Sequence, residues 1–60
     1  MIVDVFRELL RLSEEEAKEQ VHKMCKEERA RLAELMGLGR WSSQLEILEN
    51  ISGIRKVLGR

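Results

Sequence analysis

The sequence predicts an all-α chain of three helices, at about residues 2–12, 14–36 and 43–58, forming an oligomeric helical bundle from a single domain over 1–60. Three observations predict it. Apolar residues recur at three- and four-residue spacing rather than in alternation. Proline is absent, and of the four glycines only Gly37 falls within the first 38 residues. Finally, Ile47, Ile51, Ile54 and Leu58 lie four, three and four residues apart, which in a helix makes one apolar seam in the register that lets helices interlock.

The first helix places Ile2, Val5, Phe6, Leu9 and Leu12 at helical spacing, flanked by Val3 and Leu10. At about 100° per residue this apolar arc spans about 200°, too wide for one neighbour to cover. Alternation fails at Val5-Phe6 and Leu9-Leu10, which disfavours a strand.

Ser13 followed by Glu14, Glu15 and Glu16 reads as a capping box that starts the second helix, with three acids against the positive helix end. Its expected outer face carries Glu14 and Lys18, Glu19 and Lys23, and Glu27 and Arg31, each acid four residues before its base. Its expected inner face is Ala17, Val21, Met24, Cys25, Leu32, Leu35 and Met36. Gly37 suits the left-handed residue just past a helix, with Leu38 folding back onto the last turn.

Residues 37–41 then form a short loop, after which either Ser42 or Ser43 caps the third helix, Ser43 completing a box with Glu46. Gly53 costs about 1 kcal/mol in a helix interior and could act as a stop. Continuity of the seam through it favours one helix reaching about Leu58.

Sixty residues bury only about 60% of the surface of the unfolded chain, so a domain this small ordinarily needs a disulfide, a metal or a partner. Cys25 is the only cysteine, which removes the internal disulfide and points to a reducing compartment. Eleven bases balance eleven acids, so no net field draws the chain to nucleic acid or an anionic membrane; only residues 37–60, with Arg40, Arg55, Lys56 and Arg60 against Glu46 and Glu49, are mildly basic. No apolar run approaches the roughly 20 residues of a membrane span, and the start Met-Ile-Val-Asp lacks the basic region of a signal peptide. A cytoplasmic protein is expected.

Few residues suggest chemistry. His22 and Cys25 would supply half of a tetrahedral zinc site, and no other histidine or cysteine exists to complete it within one chain. Glu19-x-x-His22 has di-iron spacing, but with Ala17 at zero the apolar arc runs from about 340° to 100°, leaving His22 near 140° and Glu19 near 200°. No metal or cofactor is therefore expected. Glu28 falls near 20°, in the middle of that arc, either wetted where the helix outlasts its neighbour or buried as a polar device fixing partner choice. Trp41, the only tryptophan, reads as a lid over the core or, beside Arg40, as an interface anchor. Ser42, Ser43 and Ser52 have no nearby base, and no glycine-rich phosphate loop is present, so no enzymatic reaction is expected.

The segment Leu32-Ala33-Glu34-Leu35-Met36-Gly37-Leu38-Gly39-Arg40-Trp41-Ser42-Ser43 resembles the helix-turn-helix of bacterial repressors, with alanine, glycine four later, then an apolar residue. The resemblance covers about a fifth of the chain and implies that Arg40, Trp41, Ser42 and Gln44 stand at or near the start of a recognition helix. The buried aliphatic expected six residues after the glycine is Ser43.

The favoured reading is an interaction or regulatory module acting through self-association, with a dimer preferred, and a protein partner also possible. Its expected interface is Phe6, Leu9, Leu10, Glu28, Trp41, Ile47, Ile51, Ile54 and Leu58. The alternative is a small DNA-binding regulator using Arg40, Trp41, Ser42 and Gln44.

Overall fold

A computed structural model describes residues 1–59 as four helices, α1 (Ile2–Arg11), α2 (Glu14–Lys23), α3 (Lys26–Leu35) and α4 (Gln44–Val57). Arg60, counted above among the C-terminal bases, lies outside the described residues. No described helix is long and apolar enough to cross a membrane.

The predicted 14–36 helix is two helices. Met24 leaves α2 in an extended conformation, ψ 142°, and Cys25, at φ −73° and ψ 163°, is the N-cap of α3. A continuous helix over 14–36 would be about 34 Å long, whereas the molecule measures 29 × 21 × 21 Å. Breaking it lets α3 fold back to pack on α1 while α2 packs on α4.

The break also removes the anomaly of Glu28. It is not in the middle of a buried arc; it is exposed at the third position of α3, in the first turn, where a carboxylate meets the positive end of the helix. Its Oε1 lies 3.9 Å from Cys25 Sγ. Two residues expected inside, Cys25 and Leu35, are exposed for the same reason, since the periodicity that puts them inside restarts at residue 25. None of the three expected acid-base pairs closes: among the described residues the ion pairs are the N-terminal amine with Asp4, at 3.7 Å, and Arg40 with Glu34, at 3.4 Å.

The cap readings hold. Ser13 Oγ accepts from Glu16 N and the Glu16 carboxylate accepts from Ser13 N; Ser43 and Glu46 repeat the arrangement at α4. At the end of α3, Leu38 N donates to Ala33 O and Gly37 N to Glu34 O, with Gly37 at φ +79°, so the last carbonyls are satisfied by a left-handed turn. Helix α4 runs through Gly53 without interruption.

Leu9, Ala17, Val21, Leu32, Ala33, Ile47 and Ile51 form the buried core, with Phe6, Leu10, Met24, Met36 and Leu48 among the partly buried residues packed on it. The wide arc of α1 does need more than one neighbour, and α2, α3 and α4 of the same chain provide them. The break at residues 24–25 creates a further covering element for this face, on which Leu9 is fully buried, Val5, Phe6 and Leu10 are partly buried and Val3 stays exposed. The seam of α4 is covered in part. Ile47 and Ile51 are fully buried, Ile54 is half-buried, and Leu58, past the helix end, is exposed.

Beyond Ile51 the buried line continues to Arg55 rather than to Leu58. Arg55 Nη2 donates to the carbonyl of Leu9, one of the last carbonyls of α1 and otherwise without a helical partner. A cation thus closes the negative end of α1 from inside the fold.

Candidate functional site

With the core closed by the chain itself, the residues left outside carry the functional information. Between α3 and α4 the chain runs for eight residues, 36–43, in two successive turns. The first is the glycine turn at Gly37. The second is closed at Gly39 O, which accepts from Ser42 N at 3.0 Å and from Ser42 Oγ at 2.6 Å. Arg40 and Trp41 occupy its two central positions and are held outward as a pair.

Trp41 is 86% exposed, so it is not a lid over the core. Nothing among the described residues covers most of the indole, an apolar surface large enough to dominate a contact. Arg40 reaches back to Glu34, but both side chains are more than half exposed, and such a pair contributes at most about 1 kcal/mol. Ser42, expected as a possible cap, instead locks the turn, which leaves Ser43 as the N-cap of α4.

The turn faces the first helical turn of α3 across an open cleft of ≈ 410 Å³ lined by Lys26, Glu27, Arg29, Ala30, Arg40, Trp41 and Ser42. Arg29 is partly buried, and its Nε–H is shielded from water without an acceptor among the described residues. An unpaired donor of that kind is costly in a folded protein, so the cleft contains a cation whose hydrogen bonding is incomplete.

A second concavity runs between α2 and α4, where Leu45 and Leu48 lie among Lys18, Glu19, His22 and Gln44. Leu45 is 67% exposed. His22 Nδ1 and Gln44 Oε1 are 3.3 Å apart, tying the end of α2 to the start of α4. His22 and Cys25 therefore belong to different elements, and among the described residues no three histidine, cysteine or acidic side chains converge.

The residues singled out from the sequence separate into two groups. Leu9, Ile47 and Ile51 are inside the chain, with Phe6, Leu10 and Ile54 partly buried; Glu28, Trp41 and Leu58 are exposed. The helix-turn-helix resemblance implies Arg40, Trp41, Ser42 and Gln44 at or near the start of a helix: Gln44 is the first residue of α4, and Arg40, Trp41 and Ser42 precede it in a connection of eight residues, longer than the 3–4 of that motif. Sequence reasoning misses Arg29 and Lys26 as site residues, since within an unbroken 14–36 helix they read as solvated charges. The signal that could have found them is Cys25-x-x-Glu28, which repeats the Ser-x-x-Glu spacing of the two capping boxes.

No protein family matches the chain, and comparisons with curated proteins and with solved structures find no match either.

Proposed function

We propose that this chain is a small helical protein–protein interaction module with no reaction of its own. The observation that supports this reading most directly is Trp41, 86% exposed on a hydrogen-bonded turn beside Arg40 in a domain whose core needs nothing further to close. Trp and Arg are the side chains most enriched where binding energy concentrates, and a rigid turn reduces the ordering cost of presenting them. The net charge of zero favours a protein partner over a phosphate backbone.

Self-association would use side chains outside the core of Leu9, Ile47 and Ile51. Trp41 and Leu45 are exposed apolar side chains open to a second copy, as are Val57 and Leu58 at the end of α4. The DNA-binding alternative draws less support, since the connection before α4 is longer than in a helix-turn-helix and Gln44 lies beside His22.

The test is site-specific photocrosslinking with the reactive group at position 41, compared with the exposed position Arg11 on α1. A discrete protein adduct from position 41, competed by excess unmodified domain and absent from position 11, is expected. Equal labelling from both positions, or nucleic acid as the sole adduct, would refute the reading.

A further inference from the structure

We propose that the cleft between the first turn of α3 and the 39–42 turn receives an acidic peptide segment carrying an apolar anchor, its carboxylates meeting Lys26, Arg29 and Arg40 and its anchor lying on Trp41. This rests on the interaction reading above and specifies the chemistry of the partner.

Four observations converge. Three cations, brought from two separate elements, line one concavity with Glu27 as the carboxylate among its described lining residues and Glu34 beside Arg40. They are not a uniformly solvated charge run, because Arg29 is partly buried and its guanidinium has no ion pair among the described residues; an incoming carboxylate would supply one in a charge-assisted hydrogen bond. The indole on the same rim is almost uncovered, so the site presents apolar surface beside positive charge. Arg40 is held only by an exposed contact to Glu34 at 3.4 Å, which an incoming carboxylate can replace at little cost.

The charge of the cleft favours a peptide over a nucleic acid. Three cations with a carboxylate among them do not form a track along a phosphate backbone, for which tight binders neutralise about 6–10 phosphates.

Trp41 is the only tryptophan and tyrosine is absent, so intrinsic fluorescence reads the site directly in the full chain. The probe is a short blocked peptide of Asp and Glu around one Leu. Its comparators are the same peptide with Asn and Gln, the same peptide with Gly in place of Leu, and a short oligothymidylate. Saturable blue-shifted emission and protection from acrylamide are expected with the acidic Leu peptide, at least tenfold weaker with either altered peptide. Lys26→Gln and Arg29→Gln should each weaken binding about threefold to tenfold at unchanged helicity; Lys26 is exposed, so that variant remains informative if Arg29→Gln unfolds. Equal binding of the neutral peptide, no response at millimolar peptide, or tighter binding of oligothymidylate would overturn the proposal. So would a blue shift produced by concentrating the protein alone, which would put a second copy in the cleft. A specific protein adduct from position 41 without acidic-peptide binding would refute only the chemistry assigned here, whereas loss of both would refute the interaction module itself.

Discussion

Arg55 Nη2 donates to the carbonyl oxygen of Leu9, joining the last helix to the end of the first across 46 positions of sequence. The pair explains why the buried line of α4 runs Ile47, Ile51, Arg55, and why a charged residue is tolerated there. A hydrogen bond from a charged donor contributes about 1.5–3 kcal/mol. Arg55→Met should therefore destabilise the domain by about 1–3 kcal/mol in chemical denaturation, somewhat offset because the Nε–H that lacks an acceptor is removed with it. Arg55→Lys should recover part of the loss, and an effect under about 0.5 kcal/mol for Met would show the contact to be incidental.

Shortening Ile47 or Ile51 to Ala should cost about 2–5 kcal/mol, since each is fully buried and leaves a cavity. Leu58→Ala should cost less than about 0.5 kcal/mol, and half-buried Ile54→Ala should fall between. Because the cavity opens inside one chain, the loss at Ile51 should not vary with protein concentration. A loss that grows on dilution would mean that the core is shared between copies after all.

Two glycines should respond in opposite directions. Gly37 sits at φ +79° with open space where a Cβ would stand, so Gly37→Ala should cost about 1–2 kcal/mol purely through backbone strain. Gly53 is inside α4, with ordinary helical backbone and nothing within 4 Å of an added Cβ. Gly53→Ala should raise stability by about 0.5–1 kcal/mol, readable as an upward shift in melting temperature. A loss on Gly53→Ala would contradict the continuity of α4.

The N-cap of α3 is the weakest of the internal caps. Cys25 makes no side-chain cap hydrogen bond, whereas Ser13 and Ser43 both accept from the glutamate three residues on. Cys25→Ser should complete the pattern with Glu28 and stabilise by about 0.5–1 kcal/mol. The same substitution with Glu28→Gln should gain less, because the carboxylate also meets the helix dipole.

The three helix starts and the stop at Gly37 differ in how far the sequence discloses them. Ser13 and Ser43 are legible because serine at a cap, with glutamate three residues on, satisfies amide protons by a mechanism specific to that spacing. The start at Cys25 is harder to read: no glycine or proline marks it and cysteine is a poor cap, so only Glu28, three residues on, repeats the spacing of the boxes. Missing that break misplaces Cys25, Leu35 and Glu28 together, since the helical register restarts at residue 25. Arg55 is hidden for another reason. A base near a helix C-terminus is expected on the surface, and only the long-range return of α4 to α1 turns it inward. Trp41 can be read either way, because a lone indole before a helix fits a core lid and a docking anchor equally well until the turn at Gly39 is known.

The most direct measurement is the emission and acrylamide quenching of Trp41 in dilute, fully helical protein. With Trp41 outside a core that the chain closes alone, its emission should match that of a blocked tryptophan in buffer and change little when the domain unfolds cooperatively. Blue-shifted, quencher-protected emission that moves to the red on unfolding would place Trp41 within the folded core and leave the turn without an anchor to offer a partner.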